Sequence, residues 1–193
     1  VCLYGATQVK VDSNIAELYR EGSPLRTAYA VVDEHMMGTG SLEILVDMQQ
    51  SDALIQADVL QTMDRLQREI EKKYSQHIIR THSLADLVKN THAIMQDGSD
   101  GYKTIPNDNL AVSQLLYLFN SSNPDERRAL VNDDYSQSHI SVQLRNAGSS
   151  EYAEFFELVQ IDIEKAFVAH KKQYPNMDVH VTGTLAMMMR LMD

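Results

Sequence analysis

The side chains able to do chemistry in this chain are seven histidines, one cysteine and a few acidic pairs, and their spacing does not bring them together. His77 and His82 lie five apart, which on a strand puts them on opposite faces and rules out a shared metal. His139 and His180 are expected as cross-strand neighbours, with no acidic or thiol partner at ligand spacing. His35, His92 and His170 stand alone in the sequence. Cys2 is the single cysteine, so an internal disulfide and a cysteine-based zinc site are both excluded, and a nucleophile is not expected so close to the end. One thiol is compatible with either a reducing or an oxidising compartment. Gly38-Thr39-Gly40-Ser41 is glycine-rich but leads into a strand, the wrong context for cradling phosphate, which needs a following helix. Asp133-Asp134 and Asp97/Asp100 read as loop punctuation, since no spacing fixes them as a catalytic carboxylate pair. Neither a Gly-x-Ser-x-Gly elbow nor a His-Glu-x-x-His helix occurs. Asn120-Ser121-Ser122 matches a glycosylation sequon, a match that chance supplies often. With no nucleophile–base pairing, a hydrolase is disfavoured; no enzyme activity, cofactor or metal is expected.

The elements that would position these side chains show a doubled pattern. Leu42, Ile44, Val46 and Met48 alternate with mostly polar residues, the period-two signal of a half-buried strand. Val59, Met63, Leu66, Ile70 and Tyr74 then form a one-face helical stripe, and a short strand follows at 77–81. The same order recurs with Ile140, Val142 and Leu144 on a strand. Tyr152, Phe155, Phe156, Val159, Ile163 and Phe167 follow on a helix, and Val179 and Val181 on a closing strand. Two such units predict an α+β fold, a ferredoxin-like split βαβ sandwich of 41–82 and 138–184. Strands 41–48 and 139–145 carry the long apolar faces of central strands, while 77–82 and 178–182 are short and polar-studded, as managed edges are. All four should form one mostly antiparallel sheet, with helices 57–74 and 151–173 on the same face.

Residues 83–137 form a helical insertion between the two units. Ser83 and Asp86 are the cap and first-turn acid of a helix through Ile94 and Met95. A Gly/Asp/Asn-rich loop with Ile105-Pro106 follows. Leu110 to Phe119 is a helix apolar nearly all round, and Asn123-Pro124 breaks it. Ahead of the core, residues 1–40 hold a short strand at Gln8–Val11 and a helix capped by Asn14 with Glu17 and ended by Gly22. A second helix is started by Ser23-Pro24 and runs to Met36-Met37. The two methionines there are read as core filling, and Met187 to Met192 as part of a cut apolar segment.

At 193 residues the chain suffices for one good core or two small ones. Its net charge of −10, with basic residues scattered among acids, argues against nucleic-acid binding and for solubility. Neither end approaches the roughly 20 apolar residues that span a bilayer. The ends themselves leave two readings open: a frayed N-terminus and an amphipathic C-terminal helix, or stubs of longer apolar segments.

Several stretches together resemble one family. Gly5 followed by Val9-Lys10-Val11-Asp12-Ser13-Asn14 is similar to the exit from the first transmembrane helix of resistance-nodulation-division exporters. Gly40-Ser41-Leu42-Glu43-Ile44 resembles their first periplasmic strand, and Ser83-Leu84-Ala85-Asp86-Leu87-Val88-Lys89 a helix start that follows. Ile105-Pro106 looks like the loop after that helix, and Val181-Thr182-Gly183-Thr184 like the approach to the second transmembrane helix. The order runs the length of the chain, nearest to the hydrophobe/amphiphile exporters related to the mycobacterial large membrane proteins. The resemblance implies a first extracytoplasmic porter domain on the outer side of a cytoplasmic membrane, handling hydrophobic or amphiphilic cargo. It makes Val1–Tyr4 and 185–193 stubs of the two membrane helices. The implied partners are the transporter's second periplasmic loop, its cargo and the membrane, reached through flanking helices. Proton coupling in such exporters uses acidic residues in membrane segments that this chain does not contain.

The alternative from another class is a free-standing ferredoxin-like sensor or protein-interaction module. Within the porter reading, Leu115, Leu118 and Phe119 are the expected interface or substrate-path residues, because helix 110–119 has more apolar surface than one packing face absorbs. Its free side should be exposed or covered by a second copy of the chain, as in a homo-oligomer. Phe156, Val159 and Ile163 are expected in the core against Ile44, Val46, Ile140 and Val142.

Overall fold

The computed structural model describes residues 19–35, 38–96, 98–183 and 185–187. The expected strand at Gln8–Val11, the helix capped by Asn14, the Gly5–Asn14 motif, Met36-Met37, Thr184 and most of the C-terminal stub lie outside the described residues. The chain runs α1 (Pro24–His35), β1 (Gly40–Asp47), α2 (Ala57–Lys73), β2 (Ile78–Ser83), α3 (Leu84–Met95), α4 (Asn109–Ser122), α5 (Pro124–Leu130), β3 (Gln137–Leu144), α6 (Ser149–Gln173) and β4 (Asp178–Thr182). One-turn 3₁₀ segments stand at Ala53–Ile55 and Asp100–Tyr102.

The protein is α+β. Its four strands form one sheet in the order β2-β3-β1-β4, with every neighbouring pair antiparallel. Alternation fixes the register: Leu42 faces Val142, Ile44 faces both Ile140 and Val181, and Val46 faces Val179. These side chains all turn to one face and are buried, while Ser41, Glu43, His139, Ser141 and His180 turn to the other and stay half-buried. The short strands are at the edges, as their polar sequences require. A register shift between Ile78 and Arg80 re-phases β2, so that Thr81 sits opposite inward-facing Val142.

Helices α2 and α6 pack on the buried face and against each other. Thr62 meets His170 at 2.9 Å near one end, and Lys73 and Tyr74 meet Asp162 at 2.6 and 2.7 Å near the other, so the helices are antiparallel. Val59, Met63, Leu66 and Ile70 share a single core with Phe155, Phe156, Val159, Ile163 and Phe167 and with the inner face of the sheet.

The insertion is part of the same core. Leu84, Val88, Val112, Leu116 and Leu130 belong to the one cluster, so 83–137 extends the domain and does not form a second one. Ser83 is the last residue of β2 and the cap of α3. Its hydroxyl accepts from the Ala85 amide (3.1 Å), and its own amide donates to Asp86 (3.0 Å), closing a capping box. Buried Gln67 of α2 ties this corner down, accepting from Ser83 Oγ at 2.6 Å and donating to Asp86 at 2.7 Å and Thr81 at 3.0 Å.

Helix α1 buries none of its residues. Ser23 caps it, Pro24 fills its first position, and Asp33 near its end accepts from Thr39 (3.1 Å) and from the Asn146 amide (2.6 Å). Gly38 then turns the chain toward β1 with φ +77°. A Cβ there would stand 2.1 Å from the Leu144 carbonyl oxygen, so only glycine fits. At the far end, Leu185 and Ala186 are buried and Met187 is exposed.

Candidate functional site: an apolar groove on the insertion

Asp108 caps α4 by accepting from the Leu110 amide at 3.1 Å. Asn109 fastens the same end to α2, accepting from the Ala57 amide at 2.8 Å and donating to Gln56 at 2.6 Å. At the other end Asn123 stops α4, and Pro124 starts α5 at a position where a missing N–H costs nothing. The Arg127 guanidinium, almost fully buried, holds this turn to the approach of β3. It donates to Asn120 (3.0 Å), to the carbonyls of Val131 (3.3 Å) and Asn132 (3.0 Å), and to Asp133 (2.5 Å), and lies over the Tyr135 ring. Asn120, the sequon asparagine, is thus committed inside a helix turn.

With both ends pinned, α3, α4 and α5 leave a groove of about 360 Å³ between them. Leu87, Thr91, Ile94 and Met95 of α3 face Leu118 and Phe119 of α4, and His82, Asn123 and Glu126 are on its polar rim. Ile94 is 75% exposed, Met95 56% and Leu118 41%. Leu110 and Tyr117, seven apart on α4, are also exposed. Of the three residues singled out from the sequence, Leu118 and Phe119 line the groove. Leu115 does not; it is buried with Val112 and Leu116 as core. Ile94 and Met95 were not singled out. They follow the helical period of buried Leu87 and Val88 and are exposed because they occupy the last turn of α3, past Thr91 and Ala93, the last residues it buries.

The groups with chemical potential are dispersed. His77 is buried, within 3.4 Å of Glu151 and stacked near Phe155, while His82 is exposed beside Asp86. His139 and His180 are not cross-strand neighbours as expected. Both are opposite Leu45, on either side of β1, because β1 runs between β3 and β4. Each also has an acidic neighbour: Glu43 of β1 at 3.7 Å from His139, and Asp178 at 2.8 Å from His180, two residues earlier on the same strand and so on the same face. Burial pushes the Glu43 carboxyl above the usual carboxylate range, against the Ser141 hydrogen bond (2.9 Å) and His139. Its Oε2 is buried without a hydrogen-bond donor. Ser141 donates its hydroxyl to Glu43 and not to a histidine, so no Ser–His pair forms here. Asp133 and Asp134 are structural acceptors in the turn before β3, Asp133 for Arg127 and Asp134 for Ser136. Among the described residues no three His, Cys, Asp or Glu side chains are grouped to hold a metal, and no helix is long and apolar enough to cross a membrane.

No protein-family model matches the chain, and no curated protein matches it.

Proposed function

We propose that this chain is an extracytoplasmic porter domain of a membrane exporter of hydrophobic or amphiphilic molecules, and that it is not an enzyme. The apolar groove between α3 and α4 is then its working surface, meeting either the exporter's second periplasmic loop or the cargo. The observation that carries this reading is the groove itself: large aliphatic side chains held in water by helices that are firmly capped and stapled. Exposed apolar surface of this kind marks interaction sites, because an isolated domain gains nothing by keeping it wet. Two further features support it. The strand order β2-β3-β1-β4 is the one a ferredoxin-like split βαβ repeat requires. The motif-bearing segments that resemble the exporters fall at structural junctions: Gly40–Ile44 on β1, Ser83–Lys89 at the cap of α3, and Val181–Gly183 at the end of β4.

The test is a double substitution, Ile94→Asp with Leu118→Asp, assayed on the chain for stability and in the intact transporter for export. Both positions are exposed, so stability should change by no more than about 0.5 kcal/mol per site. Export should be lost. Unchanged export overturns the groove's role. Coding sequence lacking about 20 apolar residues on either side would overturn the exporter reading itself.

A further inference from the structure

On the far side of α3 from the apolar groove, the molecule carries a second concavity of opposite character. Helical spacing puts Lys89 opposite Leu87, Thr91 and Ile94. There, α2, α3 and the loop ahead of α4 enclose a pocket of about 440 Å³, lined by Asp64, Arg65, Arg68, Lys89, Lys103 and Thr104 among others. Lys89 is mostly buried and fixed between two carboxylates, Asp64 at 2.5 Å and Asp86 at 2.9 Å. An ammonium has three donor hydrogens, and these partners take two of them. Arg68 lies 2.9 Å from the other Asp64 oxygen, using part of its guanidinium fork. Arg65 donates to Thr62 at 3.3 Å, and among the described residues neither Arg65 nor Lys103 has a carboxylate within ion-pair distance. The lining cations therefore outnumber the nearby carboxylates by two, in a chain whose net charge is −10. The loop wall is fixed as well: Ile105 is buried, and the His92 ring is hydrogen-bonded to the Thr104 carbonyl at 2.8 Å.

We propose that this pocket binds an oxyanion, a phosphate or carboxylate group carried on a small molecule. Arg65, Arg68 and Lys103 close around the charge, and Lys89, its own charge offset by Asp64 and Asp86, lines the pocket between them. Arginine forks and lysine points are the usual recognition pair for such groups. The volume falls in the range of small-molecule sites. Because the walls come from α2 on one side and the insertion on the other, a bound oxyanion would cross-link the two. This assignment does not rest on the porter reading.

The test is titration of the chain with sodium phosphate against sodium chloride at matched ionic strength, followed by calorimetry and melting temperature. Phosphate should bind saturably and raise the melting temperature beyond the chloride control. The double substitution Arg65→Gln with Lys103→Gln should weaken binding at least tenfold without lowering the melting temperature of the unliganded protein. Arg128→Gln, on exposed α5, should leave binding as it was. Dodecyl phosphate in parallel distinguishes the source of the anion. Tighter binding than inorganic phosphate, still lost in the double variant, identifies an amphiphile headgroup, and equal binding identifies a free anion. A phosphate effect matched by chloride, or one that survives the double substitution, overturns the site.

Discussion

At the scale of single residues, the polar side chains with the most structural consequence are buried ones with several partners. Arg127 serves an amide oxygen, two carbonyls and a carboxylate at once. Arg127→Met would leave the Val131 carbonyl and the Asn120 oxygen without this donor, the Asn132 carbonyl keeping the Tyr135 amide, and a loss of about 2–4 kcal/mol in denaturant unfolding is expected. Arg127→Lys should not rescue it, since a point charge cannot span the same set of acceptors. Glu43 gives the opposite sign. Its carboxyl is held above the usual range by burial, so ionising it costs the folded state more than the unfolded one. Its contribution is therefore favourable below the ordinary carboxylate pKa and is lost as pH rises through the folded value. Glu43→Gln keeps the Ser141 partner and removes the buried charge. It should raise the melting temperature at neutral pH, with the gain disappearing on acidification; a variant less stable at neutral pH would refute this. Asp162 behaves conversely. Burial raises its carboxyl, but hydrogen bonds from Lys73 and Tyr74 outweigh that and hold it low. Stability from this link is present above the unfolded carboxylate pKa and fades as pH falls through the lowered one. Asp162→Asn should flatten that acid limb of the melting profile.

At the scale of elements, the junction from β2 into α3 has no linker and depends on one hydroxyl. Ser83→Ala removes the cap and strands the Gln67 carbonyl inside the protein. The two losses together should cost about 2–4 kcal/mol by thermal or denaturant melts. Gly38→Ala should cost about 3 kcal/mol or more, from the positive φ and the collision with the Leu144 carbonyl. Much of this was legible beforehand, and for physical reasons. Ser83 with Asp86, Ser23 with Pro24, and Asn123 with Pro124 are local signals, each satisfied within a few residues of its own chain. The strand faces were legible because a period of two leaves no choice once one side is buried. Arg127 was not, although all its partners stand within seven residues, because no local pattern marks a guanidinium that an asparagine, two turn carbonyls and a carboxylate will share. Gln67 was not, because its partners lie on other elements. The exposure of Ile94 and Met95 was hidden for the same reason. His139 and His180 were misplaced because alternation tells which face a residue takes but not which strand intervenes.

At the scale of the whole molecule, one hydrophobic cluster runs from the sheet through α2 and α6 into the insertion. A single cooperative transition is expected, with fluorescence and circular dichroism midpoints coinciding; separated midpoints would mean that the insertion melts by itself. Phe155→Ala, at the meeting of α6 with Tyr74 and His77, should lower stability by about 3–5 kcal/mol in that same transition. The attachment of the insertion has a mechanical consequence. It leaves the sheet at Ser83, opposite Ile140, and rejoins it where Val131 bridges Ser138, so both anchor points lie within two residues of each other on β3. A force applied at the groove therefore meets the sheet directly only at β2 and β3, and it reaches α2 separately through Asn109 at one end of the insertion and the Gln67–Asp86 and Lys89–Asp64 links at the other. The insertion is a brace that ties one half of the sheet to the helix covering it.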